Sequence, residues 1–223
     1  KSGAITPVYV GSAVNDIGLD RILKMIPRYV PAPDERTVAA NLGETEIEIT
    51  ADPAGPVAAT VFKTIIDRYV GRMNYVRVFS GTVVKDSQLA PSNTGKPARV
   101  ANLFHVVGKD LKPVDALVAG DIGVITKLED LQTGQTLASP DKLIRITAPE
   151  YPRPLYSVAI TPLSQADSAK MGSSVSSLVE EDPTLRYQTM QSTHQTVLQG
   201  MGDAHVDVAV RRLDCKFGVH VST

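Results

Sequence analysis

The chain has 223 residues, 43% apolar and 21% charged, with a net charge of −1, which allows one or two domains with a sizeable core and gives no general positive field toward nucleic acid. Its single cysteine, Cys215, excludes an internal disulfide framework and suits a reducing compartment, and no apolar run approaches the ~20 residues of a membrane span. The start, Lys1–Ser2–Gly3–Ala4, has neither an initiator Met nor a signal-like apolar segment, so the sequence reads as a piece cut from a longer chain.

Residues 5–10, ITPVYV, predict a short apolar strand. A helix follows, with Leu19, Ile22, Leu23, Ile26 and Val30 at helical spacing. Pro27 predicts a kink or an early end near Met25 or Ile26. Residues 31–56, rich in proline, alanine and acid, read as a linker in which Glu46–Ile49 alternates as an edge strand; acidic side chains discourage edge pairing. From 57 to 147 the chain reads as all-β. VAATVFKTII, NYVRVFSGTVV, PARVANLFHVV and DIGVITKL are rich in β-branched and aromatic residues, glycines punctuate them, and their spacing predicts a closed barrel.

EYPRP, 150–154, is a proline-stiffened hinge before a strand over 155–162. Ser164 or Asp167 is placed to cap the next helix, whose predicted stripe is Ala169, Gly172, Val175, Leu178 and Val179. Glu180–Glu181–Asp182–Pro183 ends that helix, since the residue before a proline is pushed out of helical geometry. Leu185–Thr189 and Gln195–Gln199 read as a hairpin. Gly200–Met201–Gly202–Asp203 then opens a second helix, with Asp203 at its positive end and Val206, Ala209, Val210 and Leu213 as its stripe. A last strand is predicted over Phe217–Val221. The order strand, helix, strand, strand, helix, strand gives a split βαβ sandwich. The fold class is therefore mainly β plus α+β.

EEDPTLR, a hairpin and GMGDAHVDV resemble the third domain of elongation factor G, a ribosomal translocation GTPase. Nine positions carry the match: Glu181, Asp182, Pro183, Gly200, Met201, Gly202, Asp203, His205 and Asp207. Asp67–Arg72, Arg77–Gly81, Ala119–Ile122 and Thr133–Leu137 resemble that family's second domain, in the right order. The resemblance divides the chain into 1–33, a strand-helix remnant closing a GTP-binding domain; 34–148, a translation-factor β-barrel; and 149–223, a ferredoxin-like α+β third domain. Ser12 and Ala13 match the Ser-Ala turn that touches guanine in the intact parent. Asp203 and Ala204 stand where the family usually has Glu and Leu, and His194 where many relatives have a hairpin glycine, which leaves the branch of the family open.

The residues point to no catalytic group and no metal site. There is no GxxxxGK[ST] phosphate loop and no Asn-Lys-x-Asp motif, so GTP, the cofactor that the resemblance implies, belongs to the intact parent. His205 and Asp207, two apart, face different sides of a helix, and Cys215 is alone. Asp203 and Asp207 are four apart, and capping suits Asp203 better than acid–base work. Arg211, Arg212 and Lys216 crowd a helix C-terminus and read either as a solvated basic end or as a ribosome contact; the resemblance favours the second. The partners it implies are the small ribosomal subunit, both RNA and protein, and the other domains of the same parent chain, in the cytoplasm, with no membrane. The fragment is expected to dock and to couple domains, hinged at Ala32–Pro56 and Thr147–Pro154. Alternatives are a ribosomal protection factor of the tetracycline-resistance type, a release-type factor or a non-translocating paralogue. A small enzyme built on the barrel lacks a nucleophile, base and orienting group at workable spacing.

Overall fold

The computed structural model describes residues 4–67, 69–128, 130–190 and 195–223. The strand expected over 5–10 does not form. Ile5 and Val8 are 86% exposed, and no ladder partner for this stretch exists among the described residues. Backbone groups without a neighbouring strand stay with water. The one pairing nearby is an isolated bridge, in which Ser12 and Ile17 exchange both backbone hydrogen bonds at 3.0 Å. Helix α1 (Leu19–Tyr29) runs straight through Pro27 in sequence, so the expected early end is wrong. Pro27 deprives the Leu23 carbonyl of its helical donor. That turn lies in solvent, Leu23 being 67% exposed, so the lost hydrogen bond leaves no buried carbonyl there.

Where a linker with one edge strand over Glu46–Ile49 is expected, β1 (Val38–Leu42) and β2 (Thr45–Ile49) make a hairpin, so the edge strand forms as β2 while β1 is unforeseen. The strands that follow are β3 (Ala58–Asp67), β4 (Gly71–Ser80), β5 (Thr82–Val84), β6 (Gln88–Pro91), β7 (Ala98–Arg99), β8 (Asn102–Val107), β9 (Asp110–Val114), β10 (Ala116–Val118), β11 (Ile122–Thr126), β12 (Thr136–Ala138) and β13 (Ile144–Ile146). β13 pairs back onto β1, with Ala40 opposite Ile146, and β2 is the outer strand of that small sheet. Eight strands pair in the order β7-β6-β12-β3-β4-β11-β8-β9, and β5 pairs with β10. Leu89 of β6 and Leu103 of β8, from opposite ends of this order, meet in one core with Val61, Val78, Ile125 and Leu137. The sheet therefore curls round on itself. Val83 and Leu117 of the β5–β10 ladder complete that core. Among the described residues no ladder joins β7 to β9, so the body is barrel-like, without the full ring of hydrogen bonds that a closed barrel implies.

Alternation makes β3 a strand buried on both faces. Ala59 and Val61 point into the barrel core, while Ala58 joins Ala40, Ile49, Ile144 and Ile146 in a second cluster beneath the β1–β2–β13 sheet. Gly81 turns the chain from β4 into β5 at φ 75°, and a Cβ there would sit 2.7 Å from the Val57 Cα. Only glycine fits that close approach and that φ.

The C-terminal part contains β14 (Tyr156–Pro162), α2 (Gln165–Glu181), β15 (Arg186–Thr189), β16 (Thr196–Gly200), α3 (Asp203–Arg212) and β17 (Val221–Ser222). The sheet order is β15-β16-β14-β17, all antiparallel, with both helices packed on it: the split βαβ arrangement expected. Ser164 caps α2, its Oγ accepting the Asp167 N–H at 3.1 Å, while Asp167 reaches on to the His220 N–H at 3.0 Å. This tether draws the first turn of α2 toward β17. The buried stripe of α2 is consequently Asp167, Ser174, Val175 and Leu178, with Met171 packed beside it; Ala169 and Gly172, expected inside, are exposed. Leu178, Leu198, Val206, Ala209 and Leu213 form the core. The last strand is shorter than expected, because Leu213–Phe217 forms a π-helical turn ended by Gly218 at φ 63°. Phe217 packs from that turn onto the core, and pairing resumes only at Val221.

Candidate functional site

The site is built on the C-terminal end of α2. Asp182, just ahead of Pro183, leaves helical geometry at φ −129° and ψ 100°, and three successive carboxylates then fan out. Glu180 forms an ion pair with Arg72 of β4. Arg72 is itself fixed, its Nη1 donating to the Leu131 carbonyl at 2.8 Å. Glu181 Oε1 accepts the Ile66 N–H of β3 at 2.5 Å and pairs with Lys216. Asp182 turns back into its own domain. Its Oδ1 accepts the Thr184 N–H at 3.0 Å and the Thr184 hydroxyl at 2.6 Å, and its Oδ2 lies 3.0 Å from His205 Nε2. One helix end thus grips the barrel-like body with two side chains and the second helix of its own domain with the third.

His205 is placed by the glycine turn before α3. Its Nδ1 accepts the Met201 N–H at 3.1 Å, which leaves the ring proton on Nε2, facing Asp182. Gly200 permits this: a Cβ there would lie 3.0 Å from Val206 Cγ2 and 3.1 Å from His205 Nδ1. Gly202 is the N-cap of α3, with extended backbone and no side-chain cap. Asp203 occupies the first turn, where its Oδ1 accepts the Ala204 N–H at 2.7 Å; it therefore serves the positive helix end without being the capping residue.

Burial pushes the Asp182 carboxyl up, but the Thr184 hydroxyl and N–H, with His205, outweigh it and hold the group below the usual carboxylate range. Asp67, at the β3–β4 turn, is likewise lowered, first by the Val70 N–H and then by the Tyr69 N–H, with Lys216 adding its charge. Lys216 therefore sits between Glu181 and the barrel turn, with its Nζ 5.5 Å from the Phe217 ring.

The three cations singled out by sequence separate in space and in role. Arg211 and Arg212 are exposed on the last turn of α3, whereas Lys216 is half-buried in its ion pair. Ser12 lies in the Ser12–Ile17 bridge, its Oγ accepting the Asn15 N–H at 3.3 Å, and Ala13 is exposed. His194 lies outside the described residues. Asp207 is exposed on α3 and takes no part in the cluster. Arg72, the Ile66 N–H and Thr184 were missed as site residues. The first two meet α2 across more than a hundred residues of sequence, so no local signal marks them, but Thr184 follows Asp-Pro as a turn residue should.

Two family models match the chain. The one described as Elongation factor G domain 2 matches residues 56–140, and the one described as Elongation Factor G, domain III matches residues 151–223. Together they take in well over half of the chain. A crystal structure of a protein from Thermus thermophilus is similar at 28% identity and a TM-score of 0.75, covering 94% of this chain and 29% of that one. This chain thus spans less than a third of that protein's length. With both domain models in sequence order, the chain belongs to the elongation factor G family and carries its second and third domains.

Proposed function

We propose that this chain is the docking and coupling segment of a translational GTPase of the elongation factor G type. In this reading the barrel-like body leans on the small ribosomal subunit, and the third domain passes the nucleotide state toward further domains of a longer cytoplasmic protein. GTP binding and hydrolysis are tasks of that longer protein, with Ser12 and Ala13 offering backbone to the guanine. Translocation is the activity that the coupling serves.

The observation that supports the reading is the acidic end of α2. Glu180 and Glu181 hold the barrel-like body while Asp182, one residue on, holds His205. A displacement of either domain is felt at one short turn. The joint is polar, with no apolar core shared among the described residues, since the clusters of the two domains are separate. Polar joints shift between arrangements at lower cost than packed cores do.

The test uses the intact factor. Arg72→Glu should lower ribosome-stimulated GTP turnover at least severalfold, and the double variant Arg72→Glu with Glu180→Arg should recover part of it. Turnover that ignores the single reversal would sink the coupling role. For docking, Arg211→Glu with Arg212→Glu should weaken binding to small subunits and flatten its salt dependence, by a slope of about 0.7–0.9 for each phosphate no longer neutralised. An unchanged salt slope would remove this pair from the docking surface.

A further inference from the structure

The inward face of β4 changes character along its length. Val78 and Val76 belong to the barrel core, but the next two inward positions are Asn74 and Arg72. Thr64 of β3 stands directly opposite Asn74, and both side chains are fully buried. Thr64 reaches the inside because β3 shifts register between Val61 and Lys63, which reverses the alternation that Ala59 and Val61 set.

Buried polar groups are costly unless they are paired, and here the pairing has a fixed direction. The Leu128 carbonyl can only accept, so Asn74 turns its amide nitrogen to it, at 3.0 Å. The Asn74 oxygen then faces Thr64, whose hydroxyl donates to it at 3.1 Å. That engages the one proton of Thr64, so the 2.9 Å bond between the two hydroxyls is donated by Thr133. Three directed bonds thus run from Thr133 through Thr64 and Asn74 to Leu128, and both ends of the relay lie between β11 and β12. Leu131, between those ends, gives its carbonyl to Arg72 Nη1 at 2.8 Å, and Arg72 pairs with Glu180. Thr133 lines the cleft against α2 beside Ser176 and Glu180. The chain leaves β11 through Lys127 at φ 62°, a backbone that lysine takes only where its surroundings impose it. Two apolar side chains at 64 and 74 would fill the same space with no such tie.

We infer that Asn74 is a positioning residue of the interdomain joint: from inside the barrel, through Leu128 and through Thr64 and Thr133, it fixes the Leu131 carbonyl that aims Arg72 at Glu180. What this does for GTP turnover rests on the coupling role proposed above, while its effect on the joint is measured without that role.

The test is amide hydrogen exchange on this 223-residue chain, read at Ile66, whose N–H donates to Glu181 across the joint at 2.5 Å. Local opening of the joint exposes that amide without unfolding the barrel. Thr64→Val keeps the side-chain shape and breaks the relay; it should speed exchange at Ile66 about fivefold, the factor for one lost hydrogen bond. Thr133→Val, which alters no strand residue, should act in the same direction. Thr64→Ser keeps the hydroxyl and loses a methyl, and should stay within about twofold of the unsubstituted chain. In an Arg72→Ala background Thr64→Val should add less than about twofold, because its effect runs through Arg72. An Ile66 rate unmoved by Thr64→Val or by Thr133→Val, equal acceleration by Thr64→Ser, or full acceleration persisting without Arg72 would each overturn the assignment. Any of these would leave the coupling role standing, whereas turnover indifferent to Arg72→Glu would sink that role and leave the exchange result as it is.

Discussion

Helices α1 and α2 carry opposite lessons. α1 has the cleaner apolar stripe in sequence, yet it buries no residue. α2 is rich in serine, and two of its five expected stripe positions are exposed, yet it closes the core of its domain through Val175 and Leu178. Periodicity reports which face of a helix avoids water. It does not report whether anything in the same chain covers that face. α2 has the β14–β17 sheet beneath it, while α1 has no sheet among the described residues.

This contrast breaks or stands on measured stabilities. The largest effect belongs to Leu178, which is fully buried among Val175, Leu198 and Leu213. Leu178→Ala should cost about 2–5 kcal/mol in urea unfolding, the transfer of the lost atoms plus the cavity they leave. A cost below about 1 kcal/mol would mean that α2 is no better covered than α1.

The next effect is electrostatic and tests how the end of α2 is fixed. Asp182 has a folded pKa below its unfolded value of about 3.9, so its contribution is fully present above that pH and is lost as pH falls through the lowered value. Asp182→Asn should remove about 1.5 kcal/mol at neutral pH, from weakened hydrogen bonds to Thr184 and His205, and less at pH 3. Asp67 and Asp167 are lowered in the same direction and persist in the variant, so the readout is the difference between the two proteins across pH. A gap that stays constant from pH 7 to 3 would show that the carboxylate charge at this position is immaterial. Ser164→Ala comes next, at about 1 kcal/mol, for loss of the Asp167 N–H cap. Thermal melts resolve a change of that size.

What was legible in the sequence follows the same division. Local devices were readable: the α2 cap, narrowed to Ser164 or Asp167, the Asp182–Pro183 stop, the glycine turn into α3 and the order of elements in the third domain. Pairings distant along the chain were not. β1 read as linker, with only β2 legible from the alternation of Glu46–Ile49, because the third strand of that sheet, β13, lies about a hundred residues on. Arg72 and Glu180 meet across a comparable stretch, and nothing local to either names the other. The register of α2 slipped because Asp167 is drawn inward by the His220 N–H, at the far end of the domain. Lys216 was grouped with Arg211 and Arg212 at a basic helix end for the same reason, since its partner Glu181 belongs to another helix.

The smallest predicted effect is the sharpest test of the contrast. Leu23 sits in the apolar stripe of α1 at the spacing that, on α2, places Leu178 in the core, yet it is 67% exposed. Leu23→Lys keeps helix propensity nearly unchanged and puts a charge where water already is. In this chain it should alter unfolding free energy by no more than about 0.5 kcal/mol, as surface substitutions do. It should also reduce any concentration-dependent self-association, because an exposed apolar stripe is the surface most prone to it. A loss comparable to that of Leu178→Ala would mean that the α1 stripe is covered in solution by the chain itself, and the two helices would then be alike.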